Sequence, residues 1–366
     1  MNKNKISKEL LEKVSILNKT SEKILIYSKN YGKTKYFLEQ NKYFFKSFRF
    51  NSCFSLNADY DDLNIISNCD DVDFIYPVRP VEIEKNEQNF MNLSALTQGK
   101  FFGQGQTICF IDTGLHPHLD FLLPKSRIVK FIDLINNSDQ PYDDNGHGTF
   151  VTGIACGNGI FDKSNLGFAK QANIISIKAL DKTGTSDSNK ILDAMEWVYQ
   201  NHKAYNIKVV CMSFGANTMD SSDPLSSGAQ ALWRRGITVV VAAGNSGPNR
   251  KTIKSPGCNP FVITVGGLDV EKNMVADFSS RGPTIYGHKP DLLAPAVNIT
   301  SCSNRFIPYT NMSGTSVATP IVAGICACLY SKYPDIGNNE IKKFLISHCK
   351  KLTGIVDEEG AGILKF

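Results

Sequence analysis

The chain has little that would commit it to a metal, a membrane or a nucleic acid. Its ten cysteines show no CxxC pair and no Cys/His cluster with zinc-ligand spacing, and over 366 residues they are too sparse for a disulfide framework. No uninterrupted apolar stretch reaches the ~18 residues of a spanning helix. The opening MNKNKISKELLEKVSILNKTSEK breaks its apolar residues with Lys and Glu, so a signal-peptide core is missing. Forty basic residues against 35 acidic ones leave a formal net charge of +5, without a Lys/Arg cluster dense enough to track a phosphate backbone. There is no internal repeat and no low-complexity tract beyond a bias toward Lys, Asn and Ile. These absences predict a soluble, cytoplasmic chain with no nucleic-acid or membrane partner.

What is present divides in two. From Lys23 to about Pro80 the pattern is β-rich with one short helix: ILIYS reads as a strand, Lys35 to Glu39 as a helix, and FIYPVRPVEI as a closing strand. This is a small α+β sandwich. EIEKNEQNFMNLS, from Glu82 to Ser94, is polar and without a period, and reads as a linker. Beyond Gly103, β-branched runs alternate with amphipathic segments: TICFID, then residues 172–180, 207–212, 237–243 and 261–265. Nearly continuous apolar strands are buried on both faces and imply a parallel sheet. Ile191, Met195 and Val198 repeat at helical spacing, and SSGAQALWRRG ends at a helix-stopping Gly236. The expected fold is a layered α/β domain. Cys109 and Cys211 lie inside apolar runs and read as buried, reduced hydrophobes.

Ligands of an open parallel sheet gather beyond the carboxyl ends of its strands, and three polar residues stand at such places. Asp112 follows the strand TICFID; alone it could be a turn carboxylate. His147 is the one histidine of six set between glycines at a helix start, where its ring can be aimed. Ser316, in NMSGTSVATPIVAG, opens a helix apolar nearly all round, with Pro320 expected in or near its first turn. Backbone N–H groups and the positive dipole end lie beside such a hydroxyl, which suits a nucleophile whose product is an oxyanion; an isolated Ser there would be an ordinary N-cap. Acyl transfer needs a hydroxyl, an imidazole to move its proton and a carboxylate to orient the imidazole. The three residues supply one each.

In that order, DTG, NGHGT and MSGTSVATP make the chain resemble the subtilisin-like serine proteases, the subtilases, over about residues 95–350. The lipase-type alternative requires GxSxG, and Ala318 stands where its second Gly would be. The resemblance implies a three-layer α/β domain with a mostly parallel sheet over residues 95–366. It also makes residues 1–85 a small α+β propeptide-like domain, which assists folding and then inhibits as an intramolecular partner, with 86–94 as the linker and processing region. Asn245, in VVVAAGNSGPN, is implied as the side-chain donor to the oxyanion, alongside the Ser316 N–H. Ser213, Phe214 and Gly215, with Ala242, Ala243 and Gly244, are implied as walls of a cleft that takes an extended peptide. Phe150, where the family often has a second His, and Ala296, where a Gly is frequent, depart from its pattern outside the triad.

Two finer expectations follow. Lys254 stands where the family usually keeps a small residue in the primary pocket, so a lysine turned inward would favour Asp or Glu on the acyl side of the scissile bond; turned outward, its stem would run to solvent. Glu82, Glu84 and Glu87 fit the first option, since they lie where self-cleavage is expected. No cofactor is required; calcium is common in the family, yet GNGIFDKSNLG does not reproduce a calcium-loop spacing; Asp162 and Asn165 could serve as oxygen ligands, and solvated loop residues are the simpler reading. The expected activity is endopeptidase, with a self-processing zymogen. The alternative is a catalytically silent peptide-binding protein on the same fold, whose sequence sign would be loss of a triad member.

Overall fold

The computed structural model describes residues 1–11, 21–83, 101–217 and 223–364. Its N-terminal unit contains β1 (Glu22–Ser28), α1 (Tyr31–Gln40), β2 (Phe45–Phe48), β3 (Cys53–Ala58), α2 (Tyr60–Ser67) and β4 (Val72–Pro77). The strands form one antiparallel sheet in the order β2-β3-β1-β4. Period-two alternation explains why Ile24, Leu25 and Ile26 are all buried. Ile24 and Ile26 face Leu38, Leu63 and Ile66 of the two helices in a core of their own. Leu25 points the other way and joins Phe48 and Tyr76 against the large domain.

FIYPVRPVEI is two strands. β4 closes the small sheet, and β5 (Pro80–Ile83) leaves it to pair elsewhere. The break falls where Arg79 is held by Ser188, whose N–H and Oγ both donate to the Arg79 carbonyl, at 2.9 and 3.1 Å. The linker 86–94, with Glu84 and Glu87, lies outside the described residues.

The large domain runs through β6 (Thr107–Asp112), β7 (Ile128–Asp133), α3 (His147–Cys156), β8 (Asn173–Lys178), β9 (Thr185–Asp187), α4 (Ser188–Asn201), β10 (Ile207–Met212), β11 (Phe214–Gly215), α5 (Pro224–Arg234), β12 (Thr238–Ala242), β13 (Ile263–Asp269) and β14 (Met274–Val275). It continues with β15 (Leu292–Pro295), a β16 (Ile299–Cys302) and β17 (Tyr309–Met312) hairpin, α6 (Thr315–Lys332), α7 (Asn338–Ser347), β18 (Cys349–Lys350) and β19 (Ile363–Leu364). The sheet order is β18-β19-β15-β13-β12-β10-β6-β8-β7, with β14 beside β13. Every pair from β15 to β7 is parallel. Helices α3 and α6 pack together on one face and α4 and α5 on the other, a three-layer α/β fold. Strands such as β6 and β12 are buried at every residue, because helices cover both faces. The chain runs outward from β6 to β7 and β8, then crosses to β10 on the other side, so the strand order reverses between β6 and β10. Ligands bind at such a crevice.

Candidate active site

Asp112 is the last residue of β6, and its Oδ1 lies 2.8 Å from His147 Nδ1. Both side chains are buried. The Thr113 N–H donates to the same Oδ1 at 2.7 Å, fixing the carboxylate's rotation. With Nδ1 turned to a carboxylate, His147 carries its proton there and leaves Nε2 as the available acceptor. Nε2 is buried without a hydrogen-bond partner among the described residues.

His147 is placed by the turn before it more than by its helix. Asp143 Oδ1 accepts from the N–H groups of Asn145 and Gly146 and from Thr113 Oγ1, while Oδ2 accepts from the N–H and hydroxyl of Thr149. One buried carboxylate thus ties the turn, the first turn of α3 and the end of β6 together. Gly146 caps α3 at φ +102°, a conformation that favours glycine. Lys178, fully buried at the end of β8, donates to the carbonyls of Thr113 and Leu180 and to Asp144. Asp143 and Lys178 were missed in the sequence: in DDNG an Asp reads as turn chemistry, and a Lys ending an apolar strand reads as exposed.

Ser316 is buried in the first turn of α6, capped by Gly314, whose N–H is held by the carbonyl of Ala296. Thr315 donates from its N–H and its hydroxyl to Asn245 Oδ1, at 2.9 and 3.0 Å. This ties the end of the β12 segment to the start of α6 and turns the amide nitrogen of Asn245 away from Thr315. Pro320 lies just past the first turn, as the sixth residue of α6, where the ring removes one helix hydrogen bond, to the Ser316 carbonyl. Phe150 and Ala296, the two departures from the family pattern, are fully buried packing residues.

The implied cleft walls are joined. Ala216 and Ser255 exchange backbone hydrogen bonds at 2.9 and 2.8 Å, and the Lys254 N–H donates to Ala243. The Lys254 stem lies against Gly244, where a Cβ would meet its Cγ at 2.6 Å, so only glycine admits it. Into this cleft comes β5, antiparallel to β11 with Phe214 opposite Ile83 and Gly215 opposite Glu82, and to β9 on its other side. Just before it, Arg79 donates to the Asn217 carbonyl at 2.8 Å and faces Asp223, whose carboxyl is pushed up by burial.

The Asp162 carboxylate accepts from Ser164 and from the Asn165 amide nitrogen. His118, Asp120 and Cys302 come together, but a nitrogen, oxygen and sulfur set does not suit a hard cation. Asp120 there already accepts from the N–H groups of Gly159 and Ile160 and from Tyr309. Burial pushes the Cys109 and Cys211 thiols up, which keeps them protonated and inert.

The fold, with these elements at the ends of its central strands, is that of a hydrolase of the serine endopeptidase class. The chain belongs to the subtilase family, whose model matches residues 103–362. It is 38% identical to the serine protease AprX of Bacillus subtilis over 318 residues, 77% of this chain and 70% of that protein. It is 33% identical over 259 residues to a thermostable alkaline protease of Halalkalibacterium halodurans, 70% of this chain and 65% of that protein. It is also 33% identical to subtilisin DY of Bacillus licheniformis over 257 residues, 68% of this chain and 85% of that protein. No described helix is long and apolar enough to cross a membrane.

Proposed function

We propose that the chain hydrolyses peptide bonds through an acyl-enzyme built on Ser316. His147 Nε2 takes the Ser316 proton as Oγ attacks the carbonyl carbon and returns it to the leaving amine; Asp112 holds the ring and stabilises its cation. The Asn245 amide and the Ser316 N–H receive the oxyanion. Water then repeats the steps and frees the acid. The observation that carries this reading is the 2.8 Å Asp112–His147 contact, buried at the point where the strand order reverses.

The antiparallel seat of β5 between β9 and β11 supports a zymogen in which the N-terminal unit lays its end in the cleft as a substrate would. Cleavage in 86–94 then releases it. The stem of Lys254 against Gly244, one residue before Asn245, supports an acidic preference on the acyl side. Ten free thiols support action in a reducing compartment. The test is labelling with a fluorophosphonate, Ser316→Ala as control, and sequencing of any new N-terminus. Ser316-dependent labelling with a cut between 82 and 94 is expected. A folded, processed chain that does not label overturns the proposal, and a peptide library cut as well after Phe or Leu as after Glu removes the role of Lys254.

A further inference from the structure

At the end of α3 far from His147 the surface opens into a pocket of about 510 Å³, within the size range of small-ligand sites. Four cationic side chains line it, Lys125, Arg127, Lys163 and Lys170, and no carboxylate does. None of the four has an ion-pair partner among the described residues. Lys163 reaches only the Asn158 carbonyl, at 3.2 Å, and Lys170 lies over the Phe102 ring. Nearby acids are engaged otherwise: Asp162 with Ser164 and Asn165, and Asp120 with two N–H groups and Tyr309.

Arg127 is the built part of this pocket. Its guanidinium donates to the carbonyls of Ala172, Asp120 and Cys156, neutral acceptors all, and its Nε is buried without a partner among the described residues. Its hydrogen bonds go to neutral carbonyls, and burial presses its pKa down, although the nearby Asp120 carboxylate opposes that shift. A cleft lined by one sign of charge concentrates the opposite ion. Lys ammonium groups meet phosphate oxygens as mobile point charges, and the fixed Arg127 guanidinium adds its positive field beneath them.

We propose that this pocket binds a small oligoanion carrying a diphosphate group, with Lys125, Lys163 and Lys170 around the phosphates, Arg127 beneath them, and Ile160 and Leu166 as an apolar side. The site is independent of the peptide cleft, because the ten residues of α3 place about 15 Å between its two ends. Occupation stiffens the far end of the helix that carries His147, since Arg127 holds the carbonyl of Cys156, the last residue of α3.

The experiment is calorimetric titration of inorganic pyrophosphate into the full-length Ser316→Ala chain at fixed ionic strength, with thermal melts alongside. Saturable one-site binding is expected, with a rise in Tm of about 2–4 °C near saturation. Lys163→Gln with Lys170→Gln is expected to weaken it at least about tenfold, the loss of roughly 1.4 kcal/mol. Lys33→Gln with Lys35→Gln, on the N-terminal unit, leaves it unchanged. Melting of each variant without ligand verifies folding. Absence of saturable binding, or equal weakening by both double variants, overturns the proposal.

Discussion

The N-terminal unit and the large domain bury their strands in different ways. In the small unit one face of an antiparallel sheet holds a private core with α1 and α2, and the other face lies on the large domain through Leu25, Phe48 and Tyr76. In the large domain helices cover both faces of a parallel sheet, so β6 and β12 are buried at every residue. Charged contacts rim the junction between the two: Lys46 with Asp193, Lys23 with Asp187, and Arg79 with Asp223. The small unit has its own core and a partly charged contact surface, as the proposed release after cleavage requires, whereas the large domain contains every proposed catalytic group.

The sharpest way to break this comparison is Ser316→Ala. Peptidase activity is expected to fall about 10⁶-fold, a magnitude established on subtilisin, the family's own type member, and gel analysis of the purified chain should show both regions still joined. Asn245→Ala comes next, with kcat lowered about 10²- to 10³-fold, also a subtilisin magnitude, and KM little changed in steady-state kinetics. Asp143→Asn tests the turn: losing acceptor capacity for Thr149 or for Gly146 misplaces His147 and is expected to lower kcat by up to about 10²-fold, with labelling by fluorophosphonate slowed in parallel. Arg79→Ala addresses the junction. The separate N-terminal unit is expected to inhibit the processed enzyme about tenfold less tightly, read as an inhibition constant.

The smallest effect concerns acid. Burial pushes the Asp133 carboxyl up, but hydrogen bonds from the N–H groups of Asn136, Ile135 and Ser138 and from Tyr142 outweigh it and hold it below its ordinary value of 3.8. A depressed carboxyl contributes stability that is present above its unfolded pKa and is lost as pH falls through the folded one. Asp133→Asn is therefore expected to melt lower at pH 6 and to lose less on acidification below pH 4, measured by thermal melts across that range.

Much of this was legible in the residues. The parallel strands announced themselves as unbroken apolar runs, and Asp112, His147 and Ser316 each stood beside glycines that allow close approach. What was hidden depends on pairing between distant segments. No period marks β9 or β11, which are three and two residues long, and nothing local in FIYPVRPVEI says that its second half pairs with Phe214 and Gly215. Asp143 was hidden because its acceptor role is defined by Thr113 and Thr149, on opposite sides of it in the chain.

Gly148 bears on engineering. A Cβ there would meet the Gly114 carbonyl oxygen at 2.3 Å and the Asp112 Cβ at 3.2 Å. Random libraries over 143–149 should therefore return almost no active member with a side chain at 148, however freely its neighbours vary. Anyone re-aiming the imidazole would have to move β6 and the helix start as one rigid block, and a transplanted turn would need both strand end and helix from the same donor.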